Sequence, residues 1–359
     1  MSTCKDQRYI LIQVDCDKEI DYYKNVILAL WRENLPGLPD DRFKWIYKDN
    51  PYGPAKTILA QKVDTQEYVG CATVYPRLLY VDGKELRAGI VVDFAVNKEH
   101  RVFGPAVIMQ RKIIDAYLSK EFDVIYGYPN SKSIGVIKRV GYSLLGDVEY
   151  WTKILDWAPK LTRVLKIRLL ASLAGFFLDI ISILIETFYK IKLHSNYYTK
   201  VLSKPTQEFN ILWEKAKDNY SVIGEKSLDY LQWRYSAAGS GKYNFFCVYN
   251  RKNALCAYLV YQKNDDVAII CDLFLDDIGN IRQIMVLFTG LMRKLKYKSI
   301  VMMYLGNVIY SRIFKEVLFV NKRDKRPVLI FLGNNLTEQE KSTLLKSSKW
   351  YLLDGELDL

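Results

Sequence analysis

The chain has 359 residues, half of them hydrophobic and 14% aromatic, enough for a large packed core and for two domains rather than one. Its net charge of +12 suits an anionic ligand, an anionic membrane face or nucleic acid, but no Lys/Arg-rich run or nucleic-acid module accompanies it, so nucleic acid ranks last. With His100 and His194 the only histidines, a His-based metal site or a Ser-His-Asp triad is not expected, and no metal is assigned.

The N-terminal MSTCKDQRYI has no apolar core, so no secretory leader is expected. Cysteines 4, 16, 71, 247, 256 and 271 form no C-x-x-C pair and read as reduced, buried thiols of a cytosolic protein. RYILIQV (8–14) predicts a strand, and Asp17 to Arg32 a helix with Ile20, Tyr23, Val26, Ile27, Leu30 and Trp31 on one face. Phe43, Trp45 and Tyr47 then alternate until Asn50-Pro51-Tyr52-Gly53-Pro54 breaks the run. Strands over Thr57–Lys62 and Glu67–Tyr75 lead, through a turn at Asp82-Gly83, to an apolar strand from Gly89 to Val96. This is an antiparallel meander. A strand over Asp123–Tyr128 and a helix over Ser131–Val140, stopped by Gly141, follow a second helix that begins near Pro105.

The passage from Val96 into that second helix carries the chemistry. A strand that ends in a Gly-containing loop at a helix start leaves backbone N–H groups without helical partners, which suits a phosphate. Gly104 allows close approach, Arg101 supplies a fixed charge, and Pro105 fits the first helical turn. An ordinary β-to-α turn with a surface arginine is the plainer reading.

Arg101-x-x-Gly104-x-Ala106 resembles the pyrophosphate loop of the GNAT acyltransferases, and Asn130 followed by Gly141-Tyr142 resembles their next landmark. The Arg42-Phe43-x-Trp45-x-Tyr47 and Asn50-Pro51-x-Gly53 pieces are similar to a subgroup met in bacterial surface-polysaccharide loci. Together these features span about residues 8 to 155. The resemblance implies acyl transfer from acetyl-CoA, or another acyl-CoA, to an amine by direct attack. It implies cofactor contacts from Phe94, Ala95 and Val96 on the strand and from Arg101, Val102, Phe103, Gly104, Pro105, Ala106 and Asn130. Asp93, a carboxylate interrupting an apolar strand, is the candidate general base; its alternative is a satisfied structural carboxylate. Many GNAT enzymes place a thiolate-protonating Tyr where this chain has Ile137, so Tyr128, Tyr126 or water is the substitute.

The second half repeats landmarks of the first. Phe43-Lys44-Trp45-Ile46-Tyr47 is echoed by Leu231-Gln232-Trp233-Arg234-Tyr235, and the strand with Asp93 by IICDLFL with Asp272. Asn130 stands before Tyr142 as Asn307 stands before Phe319. Where the first copy has Arg101 and Gly104 the second has Asn280 and Gln283, so the cofactor is assigned to the first copy alone. Trp45, Tyr47, Trp233 and Asp272 are candidate acceptor contacts; for the aromatics, repetition favours core packing instead.

Between the copies, Leu169 to Ile185 is almost wholly apolar, with Arg163, Lys166 and Arg168 before it and Lys190 and Lys192 after. It sits at the lower length limit of a membrane span, with Asp179 near its middle at a cost of roughly 2.5–3.5 kcal/mol. The preferred reading is a long helix buried between or against the domains, the alternative is a helix lying in the membrane surface through residues 161–194, and a true span ranks last.

The resulting expectation is an α/β (α+β) protein of two GNAT-like domains, each a mixed, mostly antiparallel sheet flanked by helices. Residues 1–158 form the cofactor-binding domain, 159–204 an apolar, basic helical linker, and 205–359 a copy without the phosphate loop. The function expected is a cytoplasmic N-acyltransferase, peripheral at the inner membrane face at most. Its partner would be a small-molecule amine such as an amino sugar or surface-polysaccharide intermediate, with no nucleic acid. Two alternatives remain: a Fem-like aminoacyltransferase using aminoacyl-tRNA, and an inactive GNAT-fold scaffold at the membrane. Oligomeric state is not legible.

Overall fold

The computed structural model describes residues 8–102, 104–165, 167–192, 197–236 and 242–356. The chain opens with β1 (Tyr9–Val14), α1 (Asp17–Asn34) and α2 (Asp41–Tyr47), then β2 (Lys56–Lys62), β3 (Tyr68–Val81) and β4 (Lys84–Val96). Next come α3 (Pro105–Tyr117), β5 (Val124–Gly127), α4 (Ile134–Val140) and β6 (Ser143–Ile154). The middle holds α5 (Ala158–Leu165), α6 (Arg168–Lys192), β7 (Tyr197–Leu202), α7 (Gln207–Ala216), β8 (Val222–Gly224) and α8 (Leu228–Ser236). The rest is β9 (Tyr243–Asn250), β10 (Leu255–Asn264), β11 (Val267–Leu275), α9 (Ile281–Lys294), β12 (Ser299–Gly306) and α10 (Val308–Glu316). It ends with β13 (Val320–Leu332), α11 (Glu338–Leu344) and β14 (Trp350–Leu353). This is a mixed α/β fold.

Two compact units emerge: residues 1–147 with 326–346, and residues 148–325 with 347–357. In the first, β1 to β4 run as an antiparallel meander, and β4 then pairs in parallel with β5 from Ala88↔Val124 to Val91↔Gly127. The far edge of β5 is taken by Leu329–Leu332 of β13, antiparallel, although that strand lies some two hundred residues downstream. In the second unit, β9, β10 and β11 are antiparallel and β11 pairs in parallel with β12, whose far edge is taken by β6. Each unit therefore includes a strand drawn from the other half of the sequence.

The core of the first unit forms because α3 presents Met109, Ile113 and Tyr117 at helical spacing to Ile58, Val69, Val74, Ile125 and Leu329. Each such large side chain taken fully out of water contributes about 1.5–3 kcal/mol.

Three expectations are corrected. Phe43, Trp45 and Tyr47 alternate in sequence but lie on α2, because Phe43, Ile46 and Tyr47 share one helical face that packs on Trp31 of α1. Cys16 is exposed rather than buried: it occupies the N-cap of α1, where Glu19 accepts its N–H at 3.2 Å and that of Asp15 at 2.7 Å. Cys71, Cys247, Cys256 and Cys271 are buried, and Cys4 lies outside the described residues. Finally, α6 is not buried. Leu169 is 71% exposed, and Phe176, Phe177 and Leu184 are each about 60% exposed.

Candidate active site

β4 and β5 stay paired only as far as Val91 and Gly127, and then part. The parting has a local cause. Opposite Cys71 and Thr73 of β3 stand Ala95 and Val92, so β4 carries one extra residue there, and Asp93 takes a left-handed φ of 47°. The bulge turns the end of β4 away from β5 and leaves a fork.

A cavity of about 510 Å³ fills that fork, within the usual range for small-molecule sites. Its walls are Val91 to Phe94 of β4, Gly127 to Asn130 beyond β5, and Asn34 to Leu38 after α1. Ser133, Ile137 and Tyr142 close the α4 side, and Arg326 enters from β13. Of the residues expected from sequence, Asp93, Phe94, Tyr128 and Asn130 line this cavity. Ala95 and Val96 are buried next to it on β4, and the described residues of the turn from Arg101 to Ala106 follow without forming part of its wall.

That turn is nevertheless tied to the cavity. Arg101 donates from Nε to the carbonyl of Val96 at 3.0 Å and from Nη2 to Oδ1 of Asn34 at 3.2 Å. Asn34, a wall residue, donates in turn to Asn97 Oδ1 at 2.8 Å and to the Leu30 carbonyl at 3.0 Å. Gly104 caps α3 with φ 95°, a conformation L side chains rarely adopt, and Pro105 begins the helix. Its carbonyl accepts the N–H groups of Val107 at 3.0 Å and Ile108 at 3.2 Å. Val102 is 87% exposed, and Phe103 lies outside the described residues.

Asp93 is not placed as a base. Its side chain is 1% exposed and Oδ1 accepts from Arg42 Nε at 3.3 Å, so the carboxylate clamps α2 to the bulge. Its pairing with Arg42 gives the carboxylate a structural role at the cavity rim. The same site shows in its neighbours: burial first, then the Asp93 charge, pushes the Tyr47 phenol and the Cys71 thiol up.

The acceptor contacts expected from sequence are also corrected. Tyr47 is fully buried, stacks on Phe43 at 4.7 Å between ring centres and shares a 2.7 Å hydrogen bond with Thr73. Trp45 is half-buried under Arg42, outside the cavity wall. Trp233 is 7% exposed beside Tyr230, and Asp272 is sealed against Lys226 at 2.9 Å, with Glu356 on the same amine. All four pack or pair inside their own units.

Sequence reasoning missed Asn34, Arg326 and the wall role of Tyr142. Arg326 donates to the Tyr128 carbonyl at 3.3 Å and sits 5.9 Å from that ring. No local pattern marks it, because only the pairing of β13 with β5 brings it here. Tyr142 follows the left-handed Gly141 and stands against Phe331; burial pushes its phenol up, and no described residue bonds its hydroxyl. The alternation of Gly141-Tyr142 after a helix was the only available signal for it. Among the described residues no His/Cys/Asp/Glu group could hold a metal ion.

The second unit treats its fork differently. Where β11 leaves β12 at Met302, β14 takes over the same edge, pairing Tyr304↔Leu353 to Gly306↔Tyr351. Tyr310, Trp350 and Tyr351 line a cavity of about 440 Å³ there, together with Leu275 to Ile278 and Asn307.

Comparison with known proteins follows this geometry. Residues 18–145 match the family model described as acetyltransferase (GNAT) domain. No curated protein matches the chain. Among solved structures, a probable N-acyltransferase from Enterococcus faecalis superposes with a TM-score of 0.62 at 9% identity, covering 90% of this chain and 72% of that one. A GCN5-related N-acetyltransferase from Anabaena variabilis gives 0.62 at 11%, covering 90% and 73%. Saccharomyces cerevisiae N-myristoyltransferase, solved with bound myristoyl-CoA, gives 0.53 at 10%, covering 92% and 84%. The chain thus has a GNAT-like α/β fold, and residues 18–145 are similar to the GNAT acetyltransferase domain.

Proposed function

We propose that this chain is an acyl-CoA-dependent N-acyltransferase that moves an acetyl or other short acyl group to a primary amine. The observation that carries the reading is the open fork between β4 and β5, backed by the Arg101–Ala106 turn, within the stretch that matches the acetyltransferase family. The fit is physical. Gly104 keeps the helix start free of a side chain, Arg101 is held at its edge by Asn34, and the start of α3 favours negative charge.

In this reading the pantetheine arm lies along Phe94 in the fork, and the amine attacks the thioester carbonyl carbon as its free base. The C–N bond forms, the C–S bond breaks, and the thiolate takes a proton. Tyr142, in the cavity wall with no described residue bonded to its hydroxyl, is the donor, in preference to Tyr128. Apart from the paired Asp93, no carboxylate lines the cavity among the described residues, so the amine's proton goes to solvent through the open mouth.

We read the second unit as a copy that has given up its cofactor site. The supports are the paired positions of Asp93 and Asp272, each at a register shift and each facing a basic side chain, and Asn280 and Gln283 where the first copy has Arg101 and Gly104. The domain scheme 1–158, 159–204 and 205–359 belongs to this proposal, with β6 and β13 exchanged. An amino sugar is the acceptor to try first, and a cytoplasmic location goes with the acyl-CoA requirement.

Calorimetric titration with acetyl-CoA and free CoA tests the reading. Wild type should bind both, Gly104→Glu should bind neither, and Tyr142→Phe should bind normally while turnover falls about 100-fold or more. Absence of binding by the wild type overturns the enzyme reading in favour of a scaffold.

A further inference from the structure

In water α6 is built inside out. By length and composition it could cross a membrane, with a mean hydropathy of 2.1 over its most apolar stretch, yet 22% of that stretch is buried. The side it turns to the protein is small or polar: Ala171, Gly175, Asp179, Ser182 and Glu186 recur at helical spacing. The outward side carries Leu169, Leu173, Phe176, Phe177, Leu184 and Phe188, each more than half exposed. An apolar surface this continuous marks an interaction site.

The polar stripe is fastened within the second unit. Arg293 of α9 donates from Nε to Glu186 at 2.9 Å and from Nη2 to Ser182 at 2.9 Å, and Lys153 of β6 reaches Glu186 at 2.9 Å. The Trp157 N–H donates to Asp179 at 3.3 Å, and Gly175 admits the first turn of α5, since a Cβ there would stand 2.7 Å from the Ala158 nitrogen. A helix held along its length by β6 and α9 cannot stand across a bilayer without abandoning these bonds.

We infer that the outward face of α6 is seated in the interfacial layer of an anionic lipid bilayer, with the helix lying parallel to the surface. Charge selects this occupant. Both acids of the helix, Asp179 and Glu186, are turned to the protein, so the outward face carries no negative charge. Arg168 and Lys190 are exposed at its two ends, and Arg163, Lys166 and Lys192 flank it in sequence. A second copy is a poorer fit: with both ends basic, any pairing of two α6 helices sets like charges together. The inference stands apart from the acyltransferase reading, because it needs no acyl-CoA.

Flotation of the full-length protein with phosphatidylcholine vesicles, and with vesicles containing added phosphatidylglycerol, tests it. Wild type should float with the anionic vesicles, less so with the zwitterionic ones, and raised salt should weaken the binding. The double substitution Phe176→Glu/Phe177→Glu should bind at least about tenfold less, with an unchanged circular dichroism spectrum. Leu184→Glu, two turns on, gives the same test at a second place. The inference is overturned if wild type floats with neither vesicle, or if it forms a dimer that these substitutions dissociate. Resistance to alkaline extraction from membranes would likewise overturn it, as that is the behaviour of a span.

Discussion

Arg42 Nε lies 3.3 Å from Asp93 Oδ1, with the two side chains 3% and 1% exposed. A carboxylate on the rim of a cavity is thereby made into a strut between α2 and β4. Arg42→Met leaves it buried without its cation and should cost about 3–5 kcal/mol, measured by urea unfolding. Asp93→Asn keeps a residue that tolerates a φ of 47° and should lower stability while leaving the pH–rate profile in place. A shifted acidic limb in that variant would restore Asp93 as the base.

Asn34 joins the end of α1 to both Asn97 and Arg101. Asn34→Ala removes these bonds together, each worth about 0.5–1.5 kcal/mol. Acetyl-CoA affinity should fall about tenfold in calorimetry, because the Arg101 guanidinium is no longer held beside the α3 start.

Burial alone would raise the Glu186 carboxyl, but Arg293 and Lys153 outweigh it and hold the group below its ordinary value. Asp179 on the same helix is pushed the other way, first by burial. A lowered folded value means that the stabilisation by Glu186 is complete above about pH 4.5 and is lost as pH falls through the lower folded value. Amide exchange along α6 should therefore stay slow at pH 5 and quicken only under stronger acid. Glu186→Gln should quicken it at neutral pH.

A Cβ on Gly306 would collide with the Trp350 carbonyl, where β14 closes onto β12. Gly306→Ala should destabilise the second unit by about 1–3 kcal/mol, read as an earlier unfolding transition. Acetyl-CoA binding should not change, because the fork of the first unit takes no part in that contact.

Much of the first unit was legible because its signals are local. The meander follows from alternating strands and Asp82-Gly83, and the start of α3 from Gly104-Pro105. The α2 helix was misread because seven residues with every second one aromatic satisfy a strand pattern as well as a helical face. The acceptor contacts were misread for a related reason: aromatic type cannot tell a stacking platform from a core ring such as Tyr47.

The sequence by itself determined where a phosphate-binding turn could form, that Asp93 interrupts an apolar strand, and that residues 169–185 are apolar with basic flanks. Each is a property of neighbours in the chain. Long-range packing set the rest: Asp93 is paired with Arg42, Arg326 reaches the cavity, β14 takes the β12 edge in the second unit, and α6 turns its polar stripe inward. These depend on pairings between residues far apart in sequence, such as Asp93 with Arg42 and Glu186 with Arg293. No local periodicity encodes which partner a buried charge will find.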